Sequence, residues 1–430
     1  MFVTFTRLLL VLLATSPLAA HAQLQVLRSF NGTDGSDSEG SLVLLGSTLY
    51  GFTATGGVND VGLLYSMGTD GSNFNPYFSF NATTGDQPHH GYLLYENGLF
   101  YRTTYLDAAG GGTLFSITPG GTDFTNLYTL QQATGWQDHT GVIAGANGLL
   151  YGYDTLGGTH NLGAAFSFNL TTSTYTDIFN FGGAGNIAGT IHDYPTWDST
   201  GTYLLGIGRT GGLYGNGAVF RFDPFAPDPA ATYQTLLSLN SSDPSSPGFA
   251  KHGSLLRVGT TLYGLTQVGG ANGQGTLFSL DETGGNLTLL HSFGDPLVTD
   301  DGVGPYGSLL LFNGVFYGTT FNGGASGNGS IFAMNFDGSD YRVLASLDFS
   351  TGINPRDNLT PSADGTELFG TTSAGGAFDP DGSLAYGTVF AIAIPEPGAW
   401  AGSAGLLALV VASARRHLHR DTAKVRSFED

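Results

Sequence analysis

The chain has 430 residues, 41% hydrophobic and 12% aromatic, with 68 glycines, 17 prolines and no cysteine. The apolar fraction supports a packed core rather than disorder; glycine without a three-residue period excludes collagen; the lack of thiols excludes disulfides, thiolate nucleophiles and cysteine-ligated metal centres. Residues 23–394 carry 8 Lys/Arg against 30 Asp/Glu, a balance that repels phosphate backbones and argues against nucleic acid as a partner.

At the N-terminus, Arg7 precedes the apolar run Leu8–Ala14, and Ala20-His21-Ala22 follows in the small-x-small pattern of a cleavage site. Residues 1–22 are therefore predicted to be a secretory signal peptide, cut by signal peptidase to leave Gln23 first. Residues 24–30 then read as a strand.

From there one phrase recurs: an aromatic or Leu, Gly, a few small residues, then Gly-Gly. It starts at Leu49, Leu150, Leu204, Leu262, Phe316 and Leu368, with a degenerate copy, FYRTTYLDAAG, at Phe100. The seven starts lie 50 to 58 residues apart. Each leads into a second phrase, Gly-small-aliphatic-aromatic, as in GTLFSI around Phe115 or GTVFAI around Phe390. One repeat reads as four strands: Ser308 to Phe312, Val315 to Thr320, Ser330 to Phe336 and Tyr341 to Leu347. Asn313-Gly314 and Asp337-Gly338 mark hairpin turns between them. Four antiparallel strands per repeat of this length predict a propeller blade. With strands lettered A to D, the chain opens on a D-type strand and closes on a C-type strand, Gly387 to Ile394. Pairing the two completes the seventh blade and removes two sheet edges. The expectation is an all-β, seven-bladed β-propeller of four-stranded blades over residues 23–394, closed by its N-terminal strand.

The repeats resemble the GloVer-type tandem repeats of exported bacterial proteins, on Phe316 to Thr320, Gly323-Gly324 and Gly387 to Phe390. The resemblance spans residues 24–394, implies a surface location, and brings no catalytic signature with it.

Residues 395–430 begin with Pro395-Glu396-Pro397, continue with an uncharged stretch over 398–414, and turn basic at Arg415 and Arg416. Seventeen apolar and small residues reach the lower limit for a transmembrane helix, and basic residues after the span favour a cytoplasmic C-terminus. This order resembles the PEP-CTERM sorting signal, which implies an exosortase as processing partner and an anchor in the membrane, at least transiently. The tail runs about fourteen residues past Arg416, longer than that pattern.

In a propeller the longer B–C and D–A connections share one face, and function concentrates on such loops. Just before the A strands stand Glu39, His90, His192, His252, Tyr306 and Asp357, with His89 and His139 nearby. Neutral imidazoles on one rim suit a metal, but equivalent positions on separate blades are expected roughly 10 Å or more apart, each packed locally. Asp379-Pro380-Asp381-Gly382 is a fragment of a calcium loop, with Asp379 and Asp381 as ligands. Paired carboxylates on the D–A loops, with Trp136 and Tyr306 to stack on sugar rings, would serve a polysaccharide-degrading enzyme, a glycoside hydrolase or lyase. There is no Gly-x-Ser-x-Gly elbow, phosphate loop or zinc-binding helix motif. The expected role is a non-catalytic surface or matrix module that binds extracellular polysaccharide or a surface protein.

Overall fold

The computed structural model describes residues 23–137, 141–182, 187–192 and 194–394. Gln23–Ala393 form one compact unit. Among the described residues it contains seven antiparallel sheets and one short 3-10 helix, Pro229–Thr232. No described helix is long and apolar enough to cross a membrane. The signal segment with Ala20 and Ala22, the expected span over 398–414, and Pro395, Glu396, Pro397, Arg415 and Arg416 all lie outside the described residues.

The seven sheets are the seven blades; the first five take four strands in chain order from A to D, and the sixth adds a fifth strand to the same order. Blade 1, for example, comprises Val43–Leu45, Thr48–Thr53, Leu63–Gly68 and Asn75–Ser79. The seventh blade is completed from the other end of the chain. Leu24–Ser29 pairs with Thr388–Ala393, from Leu24 opposite Ile392 to Ser29 opposite Thr388. The strand exchange expected from the repeat count is therefore present, and it makes the ring continuous.

The recurring phrases have a packing cause. In six blades a strand-B glycine lies opposite a strand-C aromatic: Gly51 with Tyr65, Gly152 with Phe166, Gly206 with Phe220, Gly264 with Phe278, Gly318 with Phe332, and Gly370 with Phe390. A Cβ at any of these glycines would sit 2.4–2.6 Å from the facing ring. The ring needs the space that the side chain leaves empty. Those aromatics, with strand-B residues of the preceding blade, build apolar clusters between blades. One joins Phe369, Val389 and Ala391 of blade 7 to Leu42, Leu49 and Leu63 of blade 1. The core is thus a belt of interfaces, and its stability depends on every blade having a neighbour.

Two details of blade 6 differ from expectation. Strand B runs Val315–Gly323, three residues further than the hydrophobic pattern suggests, because Gly302–Pro305 adds a strand beside its end. Asn313 and Gly314 both have positive φ, as a two-residue I′ hairpin requires. At Asp337-Gly338 only the glycine does, and the backbone bond Gly338 N–H to Asn335 carbonyl closes a longer turn.

Candidate functional site

The ladder register places one residue of every blade at an equivalent point near the ring axis. Strand A begins at Val43, Leu94, Ile143, Thr196, Leu256, Leu310 and Thr360. Four residues earlier stand Glu39, His90, His139, His192, His252, Tyr306 and Arg356. His139 lies outside the described residues. In blade 7 the equivalent residue is Arg356, so Asp357 falls one place too late; the strand pairing of Thr360 with Phe369 settles the register, which a hydrophobic pattern without a ladder could not.

The side chains do not pack blade by blade. The rings of His90 and His252 are 4.2 Å apart and those of His192 and His252 4.8 Å, while Tyr306 stacks on His252 at 4.3 Å. Neighbouring D–A loops already meet through their backbones, as where Ser41 N–H donates to the Gly91 carbonyl at 3.0 Å, and the imidazoles reach further inward. The rings therefore lie far closer than the expected separation of roughly 10 Å. Tyr306 is also covered on its other side by Phe321, 5.2 Å away. Trp136 packs against Gly157 of the third blade's B–C loop. The two aromatics are therefore not an open platform for a sugar.

Four cations complete the cluster. Arg356 donates to Glu39 Oε1 and lies over Tyr306 and Phe321. Lys251 Nζ is 5.2 Å from the Tyr306 ring centre. Arg209 Nη1 is 3.5 Å from His192 Nε2 and faces Phe249. Arg102, fully buried, donates to the carbonyls of His90 and Tyr92 from beneath. Burial, reinforced by Arg209, Lys251 and His89, lowers the His192 pKa to about 3, so its imidazole is neutral. Burial and then Arg209 push the Lys251 ammonium down as well. Burial also lowers His89, against the pull of Asp37 and Asp86.

Under this layer a belt of hydrogen bonds ties the blades together. Asp357 accepts from Ser41 Oγ at 2.7 Å, from Gly91 N–H at 2.6 Å and from Asn358 N–H at 2.7 Å. Burial raises its pKa to about 6 despite those donors. Ser308 N–H donates to Asn358 Oδ1, Ser254 N–H to Ser308 Oγ, and Asn358 Nδ2 to the Tyr194 hydroxyl. Blades 1, 2, 4, 5, 6 and 7 are all joined in this way. On the D–A loops, His90, His192, His252 and Tyr306 are thus buried and ringed by the half-buried Arg209, Lys251, Arg356 and His89, a cluster we term the well. The larger cavities lie further along the strand-A walls: about 350 Å³ against Tyr194, Trp197 and Leu255, and about 610 Å³ against Val43, Tyr92 and Leu94. They are lined mainly by apolar groups, with Arg257 the one charged residue on the first.

Other expected groups are engaged elsewhere. Asp379 is fully buried, and its two carboxylate oxygens accept from Gly375 N–H and Leu384 N–H, so it holds its own loop. Asp381 is exposed and accepts from Ser383 N–H. Of the D–A loop carboxylates, Glu39 is tied to Arg356 and His89, and Asp357 to the hydrogen-bond belt. Arg102 and Arg356 were not among the residues singled out from sequence. Arg102 had a signal, because it replaces the repeated glycine in the degenerate copy.

Comparison with known proteins follows from the fold. An oligogalacturonate lyase solved in complex with manganese superposes with a TM-score of 0.55 at 12% identity, over 88% of this chain and 95% of that one. The extracellular domain of a protein assigned to the one-component systems of B. thetaiotaomicron gives 0.51 at 13% identity, over 86% and 41%. A Niastella koreensis GH74 enzyme gives 0.49 at 14%, over 74% and 47%. At such identities the likeness is one of propeller fold alone. No curated protein matches in sequence. The sequence model of the Gloeobacter/Verrucomicrobia repeat matches twice, over residues 17–220 and 192–399.

Proposed function

This chain belongs to the Gloeobacter/Verrucomicrobia repeat family, and from that footing we propose that it is an exported, surface-associated propeller that binds an acidic extracellular saccharide in its axial well. One observation carries the reading. The domain has 8 Lys/Arg among 30 Asp/Glu, yet Arg102, Arg209, Lys251 and Arg356 all converge on the well or its floor. In an acidic body, half the cations gathered at one place mark where an anion is wanted. A sugar carboxylate suits guanidinium and ammonium groups together with neutral imidazole donors. Export and attachment are supported by the N-terminal leader pattern and by the Pro-Glu-Pro tail with its apolar span, both read from sequence.

A second reading, a lyase, is favoured by His192. A neutral imidazole beside Arg209 and Lys251 has the parts that β-elimination from a uronate uses. Cations neutralise the carboxylate, a base removes the proton next to it, the bond to the 4-oxygen breaks, and that oxygen leaves with the electron pair and takes up a proton. Such chemistry would rest on imidazole and cations rather than on a carboxylate pair.

Light scattering of a polyuronate chromatographed with the purified protein tests both readings. Co-elution at unchanged polymer mass is the expected result, with binding weakened by salt and about tenfold by Arg209→Ala or Lys251→Ala. A falling polymer mass with growing ultraviolet absorbance of an unsaturated product identifies the lyase. Equal retention of a neutral glucan sinks the acidic-saccharide reading.

A further inference from the structure

Blades 1 and 2 meet the well with a chemistry different from the cationic side. Glu39 Oε2 lies 2.9 Å from His89 Nδ1 and 3.5 Å from His90 Nε2. One donor atom from each of the three residues falls within 4.8 Å of the others. A tetrahedral zinc ion with bonds of about 2.0–2.2 Å separates its ligand atoms by about 3.3 Å, and the two measured separations bracket that value. The glutamate is fixed from behind, because Arg356 donates to its other oxygen. Orientation of a ligand by a neighbour of this kind is what metal sites require.

Charge adds a second, independent observation. Asp37 and Asp86 both act electrostatically on His89, and each has a buried Oδ1 with no hydrogen-bond partner among the described residues. Buried carboxylate oxygens without partners are costly.

We infer that Glu39, His89 and His90 bind a divalent first-row transition ion through Oε2, Nδ1 and Nε2, with Arg356 as the residue that positions the carboxylate. Two imidazoles and a carboxylate suit zinc and its neighbours rather than calcium or magnesium, which take oxygen ligands. Three protein ligands leave a coordination position for an oxygen of a bound ligand. The inference stands apart from the saccharide reading, since the ion alone is the probe.

The test is calorimetric titration of the tag-free, full-length protein with zinc chloride after stripping with a chelator. One ion is taken up per chain, and the loaded protein melts at a higher temperature. Glu39→Gln and His90→Ala each weaken affinity about tenfold or more, whereas His160→Ala, exposed in the third blade's B–C loop, leaves it unchanged. His89→Gln, at the half-buried edge, removes a ligand with least risk to the fold. Absence of saturable uptake by the wild-type protein overturns the inference, as does unchanged affinity in folded His89→Gln. Polyuronate binding that survives either result overturns the ion site alone and leaves the saccharide reading standing.

Discussion

Arg102 stands where six other blades keep a glycine, and it is buried completely. Its guanidinium lies 3.7 Å from the Phe52 ring centre and donates to the carbonyls of His90 and Tyr92. Restoring the repeat with Arg102→Gly would open a cavity and strand two carbonyls. Urea unfolding is expected to show a loss of about 3–5 kcal/mol. Asp357 makes a different kind of statement. A carboxyl whose pKa is raised from 3.8 to about 6 in the fold binds its proton more tightly folded than unfolded, so its contribution to stability falls as pH rises from about 4 to about 6. Asp357→Asn removes that titration. The stability difference, wild type minus variant, should therefore shrink by roughly 3 kcal/mol between pH 4 and pH 7, read from denaturant midpoints at both. A difference independent of pH would mean that Asp357 ionises normally within its hydrogen-bond belt.

At the scale of the blade, the glycine–aromatic pair is the unit that repeats. Gly318→Ala puts a Cβ 2.5 Å from Phe332 Cζ, and the expected cost is about 1–3 kcal/mol. Phe332→Leu in the same chain should recover part of it, with a coupling energy of about 0.5–3 kcal/mol in a double-mutant cycle; additive effects would show that the ring does not need the glycine's space. This pair is also why the blades were legible from sequence. A side chain that must be absent leaves a glycine at a constant distance from an aromatic, and strand type, strand order and the closing exchange follow from that spacing. The added strand Gly302–Pro305 was not legible, because its partner is the end of a strand whose apolar pattern had already stopped. The well was half legible. Histidines before strand A announced their position, but their convergence depends on side-chain reach, and Arg356 is recognisable only once the ladder pairs Thr360 with Phe369.

The whole ring depends on a pairing between residues far apart in the chain. Removing Leu24–Ser29 exposes the edge of Thr388–Ala393 and takes Leu27 from the cluster between blades 7 and 1. The midpoint of thermal unfolding should fall for all blades together, as one transition seen by near- and far-ultraviolet circular dichroism. An unchanged midpoint would refute the closure as a stabilising element. The ring also separates two jobs. Ladders and glycine–aromatic pairs hold the backbone, while among the described residues the one four places ahead of strand A belongs to neither. The scaffold thus dictates where that residue stands and is indifferent to what it is. Read once around the circle, the positions spell Glu, His, His, His, His, Tyr, Arg, a seven-letter word set in a frame that would accept others. A relative with the same frame and a different word is expected to keep the architecture and change its ligand.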